Sequence, residues 1–573
     1  MSTTVFRGGC DMDKNRALKS FRIDSLPVIN AYIKGCGLSD IFERFIPGKP
    51  SRKIPHSGSL LFLLRNIMLS GFPLYKLFEW AADYEPELLG MTPRMAAAIN
   101  DDCMGRALDE LFLADRATML TTITLRAIAG YRLDMSCFHN DSTTVTFHGE
   151  YHRKPKFDKS PARLLRGFNK DHRPDLKQLV FNLVVCADGA VPVHFKLHDG
   201  NVTDDTTHTQ TWDCLRELAG RPDFIYVADS KLCTTHNMSH IARSGGKFIT
   251  VMPRTRKEYH LFIQWARENP VRGQPLWYRH QSPRNGSDRY HGYESGSFIS
   301  EEGYRIIWIR SSQKQKIDAQ TRKDRLKKTQ EHLRALSLGL NKYSLKTRKA
   351  IRERLEKILA EHNMQEFLDC RIIAARKREK IKSARGRPGP NARYKHIQKT
   401  YYRLEWSVDD NSLRKAANAD GFFPLITNIG DLDMKQILRH YKYQPNLEKR
   451  HAYLKSVLEV APMRLKTPER IEALLFLYYL ALMIYGLMER DMRAAMKKNG
   501  LRSIPIYPEN RECRRPSAER ILESLERISR HELRENGEVK EIFFDAPNGL
   551  QKEVLKLLEI PLTYYSAAAL DIP

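Results

Sequence analysis

The sequence predicts a mixed α/β protein, in which a sheet with flanking helices is interrupted by an inserted domain and preceded by a helical domain. Three observations predict it. Apolar residues recur at helical spacing up to about residue 129, and strand-like patterns that include a hairpin follow from residue 131. A charged stretch at 257–420 then separates these strands from a second regular segment, which starts at residue 421.

Composition limits the classes of protein to which the chain can belong. Of its 573 residues, 95 are Lys or Arg and 68 are Asp or Glu, so the net charge is +27 and a polyanionic partner is expected. A hydrophobic share of 42% excludes a chain that is disordered throughout. Nine scattered cysteines without a C-x-x-C pair exclude a zinc ribbon and a disulfide scaffold, and their odd number indicates a reducing, cytoplasmic compartment.

We expect no membrane-spanning segment. The N-terminal residues lack the apolar core of a signal peptide. The longest apolar run, residues 473–488, has 16 residues, fewer than the ~20 that span a bilayer. This run therefore predicts a buried helix.

Residues 1–129 are predicted to form a helical domain. Ser25 can cap a helix that runs to Lys34, and a glycine-containing turn then leads into a second helix near Asp40. Two helices joined by such a turn are typical of a helix-turn-helix that binds DNA, and equally of a pair that only packs in a bundle.

Residues 130–256 are predicted to form the first part of the sheet. Its elements are a strand, a hairpin of two strands, a helix and a short buried strand, in the order 133–139, 181–186, 191–197, 203–220 and 224–228. Strand, hairpin, helix and strand is the opening order of a ribonuclease H-like sheet.

Residues 257–420 are predicted to form an insertion domain. It contains a charged helical stretch at about 313–368, of the kind that is usually a solvated helical face or hairpin, followed by a basic linker. The core resumes at 421–495 with a strand, a helix broken near Pro445 and the apolar helix. Residues 496–573 are predicted to form a helical, basic C-terminal region.

Three acidic residues carry the expected chemistry. Asp141 follows the first strand, Asp229 ends the buried strand, and Glu448 lies on the broken helix. Carboxylates at the ends of adjacent strands can converge at one edge of a sheet, and a third from a crossing helix completes an oxygen-rich site for Mg²⁺ or Mn²⁺. Two such ions ~4 Å apart would activate an attacking oxygen and stabilise the leaving one in phosphoryl transfer.

Each carboxylate also has a plainer interpretation when it is taken alone. Asp141 can cap a turn before Ser142, and Asp229 can cap a helix that starts at Ser230. Glu448 can be a solvated residue on the helix surface, because most acidic side chains are. Only the combination of the three on this strand order favours a metal site.

The chain resembles the DDE transposases of bacterial insertion sequences, and in particular the group whose third block reads Tyr-x2-Arg-x3-Glu-x6-Lys. The corresponding residues are Tyr441, Gln444, Glu448 and Lys455, so Gln444 stands where the family has arginine. The resemblance extends over most of the chain and includes the segments HNDSTTV, GFNKDHRPDLKQL, HDGNVTDDTTH and DGFFPLITN.

The resemblance implies that Asp141, Asp229 and Glu448 form a catalytic triad that binds Mg²⁺ or Mn²⁺ as two ions. It also implies that the insertion domain lies between the second Asp and the Glu. The activity it implies is cut-and-paste transposition by a bacterial, nucleoid-associated enzyme, in which metal-dependent strand cleavage is followed by strand transfer. The implied partners are double-stranded DNA, both transposon ends and target, and a second copy of the chain in a homodimer.

The resemblance further implies DNA contacts for Tyr441, Lys455 and Gln444. Tyr441 and Lys455 would contact phosphate near the transposon end, and the N-terminal helical domain would recognise the terminal inverted repeats. Gln444 can still donate a hydrogen bond to DNA, but it lacks the charge and the bidentate guanidinium group of arginine. It is the one sequence feature that favours the alternative, a transposase-derived DNA-binding protein with impaired catalysis.

Two basic segments are further candidates for DNA contact. Lys170 and Arg173 lie on the loop before the hairpin, where they can reach backbone phosphate or only solvent. Arg385 and Arg387 lie in Arg-Gly-Arg-Pro, which resembles the minor-groove-binding core of an AT-hook and is equally typical of a solvated basic turn.

Overall fold

The structure, a computed structural model, describes residues 16–48, 52–149, 151, 157–168, 173–280, 286–383, 394–460 and 465–566. The chain divides into two compact units. Unit 1 comprises Met1–Ile249 and Arg439–Pro573, and unit 2 is Thr250–Leu438. Unit 2 contains the predicted insertion domain, residues 257–420. It starts before the first residue of the predicted domain and ends after its last residue.

Sixteen β-strands lie in the described residues. In chain order, β1 to β16, they are Arg16–Arg22, Cys137–Phe147, Lys177–Cys186, Pro192–His198, Ile225–Ala228, Lys247–Val251, Gln274–His280, Ser287–Tyr293, Arg305–Ser311, Leu368–Lys382, Tyr394–Val408, Phe422–Thr427, Ile504–Tyr507, Arg511–Cys513, Ser529–Glu535 and Glu538–Phe544.

Eighteen α-helices lie in the same part of the chain. In order, α1 to α18, they are Leu26–Gly35, Leu38–Phe45, His56–Leu69, Leu77–Ala82, Pro93–Ala96, Asp101–Leu113, Arg116–Tyr131, His208–Ala219, Thr235–Arg243, Lys257–Glu268, Ser312–Gly339, Arg348–His362, Asp410–Asn418, Met434–Tyr441, Pro445–Ala452, Pro468–Lys498, Ala518–Ser524 and Gly549–Leu557.

The sheet of unit 1 has the strand order β4-β3-β2-β5-β6. Strands β2, β3 and β4 pair antiparallel, and β5 pairs parallel to β2. This is the ribonuclease H order, in which the first strand lies between the hairpin and the next parallel strand, so the predicted fold class is confirmed.

Strand β2 differs from its prediction in length. It runs from Cys137 to Phe147, where the sequence predicts a strand that ends at residue 139. The polar segment after Asn140 continues in the strand because it pairs residue by residue with β3, out to Phe147 opposite Lys177. Asp141 therefore lies within the strand and does not cap a turn.

Helix α16 is the core element of unit 1. It is long and apolar enough to cross a bilayer by length and composition, but 94% of its most apolar window is buried inside the protein. Phe195 of β4 stacks on Tyr479 of this helix, with ring centroids 4.5 Å apart. The helix thus covers the sheet, as its predicted burial requires.

The N-terminal helices also pack on α16. The Tyr485 hydroxyl donates a hydrogen bond to the Met68 carbonyl, and Arg470 holds Asp109 with two hydrogen bonds of 2.8 Å. Twelve of the fourteen residues of α3 are buried. The predicted helical domain of residues 1–129 is therefore part of unit 1 and not a compact unit of its own.

Two terminal segments form strands where the sequence predicts helix. Strand β1 pairs antiparallel with β15, and β15 pairs with β16, in a three-stranded sheet. The C-terminal region, predicted to be helical, contains four strands, β13 to β16. The pairing of β1 with β15 joins segments about five hundred residues apart, which local sequence patterns cannot indicate, whereas β15 and β16 form a local hairpin around Asn536-Gly537.

Unit 2 contains a second group of strands in the order β12-β9-β8-β7, with β12 antiparallel to β9. Phe262 of α10 stacks on Trp308 of β9 at 3.6 Å between ring centroids. The charged helical stretch forms the hairpin α11–α12, and the basic segment after it is largely the paired strands β10 and β11.

Candidate active site

Asp141 and Asp229 occupy neighbouring positions on adjacent parallel strands. The register of β2 against β5 pairs Asn140 with Ala228, and each aspartate is the next residue along its strand direction. Parallel strands lie ~4.8 Å apart, so the two carboxylates emerge side by side at the end of β5. The convergence that the sequence predicts for these two residues follows directly from this register.

The two aspartates line one narrow cleft together with Asn140, Asn182 and His208. Asn140 and Asn182 are each 2% exposed. Within the described residues, the amide oxygens of these two side chains are buried without a hydrogen-bond partner. Side chains alternate along β2, so the Asn140 amide and the Asp141 carboxylate leave the strand on opposite faces, and the two carboxylates are the hard donors placed for a divalent cation such as Mg²⁺.

Asp229 also holds the turn that follows its strand. Its Oδ1 accepts a hydrogen bond of 3.0 Å from the backbone amide of Lys231. The next helix, α9, is capped instead by Thr234, whose side chain accepts from the amide of Asn237. The helix-capping alternative for Asp229 is therefore wrong, although the carboxylate does fix the turn.

Helix α15 lies against the strand that carries Asp141. The imidazole Nδ1 of His451 on α15 lies 3.6 Å from Asp141 Oδ2. On β2, His139 and Asp141 point to the same face, because side chains alternate along a strand. His139 also meets residues at the start of α15, so this helix covers that face of the strand.

Glu448 lies on the same helix, one turn before His451. Its side chain is exposed. The environment of Tyr441 indicates how Glu448 lies relative to Asp229. Burial, together with the nearby carboxylates of Asp229 and Glu448, raises the pKa of Tyr441 to about 12. The phenol of Tyr441 is thus within electrostatic reach of two of the three predicted triad members, and His451 contacts the third.

Within the residues that the structure describes, no three His, Cys, Asp or Glu side chains form a ready metal-binding group. The donors that fit a divalent cation are the carboxylates of Asp141 and Asp229, which line the same cleft. Glu448 would have to turn toward the cleft to join them.

Gln444 is buried and bonded within the protein, so its predicted contact with DNA stays a prediction that these contacts do not support. It is 9% exposed, and both ends of its amide are used inside the protein. Its Nε2 donates to the carbonyl oxygen of Asn140 at 3.1 Å, and its Oε1 lies 3.1 Å from His139 Nδ1. Gln444 therefore joins the segment that carries Glu448 to the backbone immediately before Asp141.

His139 is a packed, neutral residue. It is fully buried, and burial lowers its pKa to about 4. Because an amide oxygen only accepts, His139 donates from Nδ1 to Gln444, and its Nε2 lies 3.6 Å from the Cys137 thiol. Its ring also lies against Tyr443, with centroids 4.9 Å apart.

Arg450 fixes α15 from its buried side. It is 2% exposed and donates to the carbonyl oxygens of Ala190 and Gly189 in the β3–β4 turn. Its Nη1 lies 3.0 Å from Glu489 Oε2 on α16. Glu489 also accepts from the Tyr453 hydroxyl at 2.8 Å. These contacts hold α15 in place and so set where Glu448 lies relative to β2.

Sequence patterns did not identify His451 or Arg450, although a signal was present. They lie three and two residues after Glu448, and positions at such spacings on a helix share or flank its face. When a helix packs against a strand that carries a carboxylate, a basic residue or a histidine on the buried face of the helix is a candidate partner for that carboxylate.

Lys455 lies in a π-helical turn, Tyr453–Val457, that follows α15. The amide of Leu458 bonds the carbonyl of Tyr453, five residues back. This wider turn rotates Lys455 away from the exact alignment with Glu448 that a continuous α-helix would give. Its predicted contact with phosphate stays a prediction, as does that of Tyr441.

Arg173 is exposed just before β3, and its guanidinium holds Asp175 with hydrogen bonds of 2.9 and 2.7 Å. A DNA phosphate at Arg173 would therefore compete with a carboxylate. Lys170, Arg385 and Arg387 lie outside the described residues, and their DNA contacts stay predictions.

Comparisons with known proteins give matches of two kinds, a family model and solved structures. A family model described as a domain of unknown function, DUF4277, matches residues 18–125. No protein of curated function matches the chain. Among solved structures, the chain is similar to the piggyBac transposase in a synaptic complex with hairpin DNA, determined by cryo-EM. The TM-score is 0.36 and the identity 8%, over 88% of this chain and 81% of that chain.

Proposed function

We propose that this protein is a DDE transposase that binds the terminal inverted repeats of an insertion sequence and moves it by cut-and-paste transposition. The observation that carries the proposal is the placement of Asp141 and Asp229 in neighbouring positions of a ribonuclease H-ordered sheet. Helix α15, which carries Glu448, lies against the same strand through His451. The third-block pattern around Glu448 supports the proposal from the sequence.

In this proposal Asp141 and Asp229 hold a divalent cation, Mg²⁺ or Mn²⁺, and Glu448 completes the site for a second. When bound, the ions lower the pKa of an attacking water and neutralise charge on the leaving oxygen. The chain's own residues set the geometry: the sheet fixes the two aspartates, and Gln444 and Arg450 fix the helix of Glu448.

Strand cleavage and strand transfer are both in-line displacements at phosphorus, so one site serves both. Water attacks first and frees a 3′-hydroxyl, which then attacks target DNA. Tyr441 and Lys455 lie on the same segment as Glu448, and we expect them to hold the phosphate next to the reacting one.

We further propose that two copies of the chain act together on the two transposon ends, in the bacterial cytoplasm. Helices α1 and α2 form the predicted helix-turn-helix pair, with Gly37 in the left-handed conformation between them. They are the candidates for reading the inverted repeats.

The test is strand cleavage by the full-length protein with Mg²⁺, on a plasmid that carries the inverted repeats flanking its gene. Asp141→Asn should reduce cleavage to background while leaving binding to the repeats intact. The matched control is Asp223→Asn, an exposed aspartate that pairs only with Arg221 among the described residues and should cleave normally.

Normal cleavage by Asp141→Asn would overturn the assignment. Cleavage of arbitrary duplex DNA without strand transfer would indicate a metal-dependent nuclease instead. The alternative of a DNA-binding protein with impaired catalysis rested on Gln444, whose buried position removes that support. Binding of the repeats without any cleavage by the unaltered protein would restore it.

A further inference from the structure

Strands β10 and β11 of unit 2 form a two-stranded ribbon with an inner and an outer half. In the inner half, Leu368 and Leu404 are buried in one apolar cluster with the helical hairpin α11–α12. At the boundary, Asn341 beyond the end of α11 exchanges two hydrogen bonds with the backbone of Tyr402, of 2.9 and 2.7 Å. The outer half continues past this boundary.

The outer half, residues 374–381 paired with 395–402, is here called the ribbon arm. Nearly all of its side chains are exposed on both faces, and Ile381 is 39% exposed. At ~3.4 Å per residue the arm is roughly 25–30 Å long. A ribbon of only two strands is marginally stable in water, and the apolar side chains of this arm, Ile381 and Ile397, share their face with lysines, so a partner that binds the charged side chains would explain why the arm extends.

The two faces of the ribbon arm differ in charge. Opposite residues of an antiparallel pair share a face, so Arg376, Arg378 and Lys380 lie together with Thr400, Gln398 and His396. This face, here called the basic face, carries three cations and no acidic residue. Lys380 also lies over the ring of Tyr394, 5.1 Å from its centroid.

The opposite face carries Lys377, Lys395 and Lys399, but it also carries Glu379. Lys399 lies 3.5 Å from Glu379, and the Tyr401 hydroxyl donates to the same carboxylate. Part of the positive charge of this face is therefore satisfied within the protein. The basic face alone presents its full charge outward.

We propose that the basic face of the ribbon arm enters a groove of duplex DNA. The major groove of B-DNA is about 12 Å wide and admits a two-stranded ribbon, and the length of the arm is close to one helical turn. Phosphates on both sides of the groove would meet Arg376, Arg378 and Lys380. The identity of the partner, DNA, is the one premise that this inference shares with the proposed function.

Charge alone would also suit RNA or an acidic protein, and the shape of the arm favours DNA. The major groove of A-form RNA is too deep and narrow for a ribbon to enter. An acidic protein surface would also bind the exposed Arg and Lys side chains, but such a partner would not require a long, solvent-exposed ribbon with its charge on one face.

The experiment compares two triple variants of the full-length protein that remove the same charge. Arg376→Gln, Arg378→Gln and Lys380→Gln alter the basic face; Lys377→Gln, Lys395→Gln and Lys399→Gln alter the opposite face. Binding to a 30-base-pair duplex of arbitrary sequence is measured by fluorescence anisotropy in EDTA, over a series of salt concentrations. A matched duplex RNA is the second probe.

The basic-face variant should bind DNA about tenfold or more weakly, and its slope of log affinity against log salt should fall by about 2 to 3, since each lost phosphate contact removes ~0.9. The opposite-face variant should lose less than about threefold. Equal losses in the two variants, no loss in either, or an equal loss on RNA would overturn the proposal. Cleavage that depends on Asp141 would remain unaffected by such a failure, so the two proposals fail separately.

Discussion

Gln444 stands where the third-block pattern that the chain resembles has arginine, and it connects two parts of the candidate site. Its amide spans from His139 to the carbonyl of Asn140, the residue before Asp141. An arginine in the same buried position would bring a charge next to a neutral imidazole. The substitution therefore suits this chain's packing and is not evidence of lost activity.

We predict that Gln444→Leu lowers stability and leaves DNA affinity unchanged. The leucine fills similar space but leaves His139 Nδ1 and the Asn140 carbonyl without their partner, which costs about 1–3 kcal/mol. Urea unfolding and anisotropy with duplex DNA measure the two quantities. Gln210→Leu, at an exposed glutamine that accepts from Lys196, is the control and should be near neutral. A loss of affinity without a loss of stability would contradict the buried role.

His194 on β4 gives the stability of unit 1 a pH dependence. Burial, together with the charges of Lys196 and His198, lowers its pKa from 6.5 to about 4. The unfolded chain therefore takes up a proton first as the pH falls, so the stability contributed by neutral His194 is complete above pH 6.5 and is lost toward pH 4.

We predict that His194→Gln removes about 2 kcal/mol of the difference in unfolding free energy between pH 7 and pH 4.5. Urea unfolding at a series of pH values measures it. The exposed His236→Gln is the control and should keep the full pH dependence. An unchanged slope in His194→Gln would show that this imidazole is not the group responsible.

At the scale of elements, α15 is held at both ends by buried polar contacts. Gln444 fixes its start to β2, and Arg450 fixes its inner face to the β3–β4 turn and to α16. Burial alone would raise the pKa of Glu489, but Arg450, Arg493 and hydrogen bonds lower it below its ordinary value. The carboxylate is therefore charged and part of a buried network.

We predict that Glu489→Gln destabilises the protein by about 3–5 kcal/mol, because Arg450 would remain buried without its counter-charge. The displaced helix should also slow strand cleavage. Glu523→Gln breaks an exposed pair with Arg520 and should cost less than about 1 kcal/mol. Thermal unfolding compares the two variants, and similar losses in both would contradict the buried network.

Elements with a strong local pattern could be predicted from the sequence. The apolar run predicted the buried helix α16, and the turn at 187–190 predicted the β3–β4 hairpin. The short apolar run before Asp229 predicted β5. In each case the residues that define the element are adjacent in the chain, so the period of apolar residues is sufficient.

The rest depended on distant partners. The third-block pattern predicted Gln444 as a DNA contact. Its burial is set by β2, which lies about three hundred residues earlier in the chain. The C-terminal strands were predicted as helix although Asn536-Gly537 between β15 and β16 is a local hairpin signal, and among these strands the pairing of β15 with β1 is the one that depends on a distant segment. The register that sets Asp141 beside Asp229 also became visible only with both strands in place.

At the scale of the whole molecule, the charge of +27 predicts a steep salt dependence of DNA binding. If 6–10 phosphates are contacted, affinity should fall by about 10³–10⁵ between 50 and 200 mM salt. Anisotropy with a duplex over that range measures it, with an uncharged polymer probe as the control. A flat response would contradict an extended phosphate footprint.

The pairing of β1 with β15 has a consequence for synthesis on the ribosome. Residue 22 must wait for its partner at residue 529 to emerge, which takes on the order of half a minute to two minutes at ~5–20 residues per second. During that interval the edge of β1 is open to pairing with a neighbouring nascent chain. Chaperone protection of the growing polypeptide should therefore matter most for this short N-terminal strand.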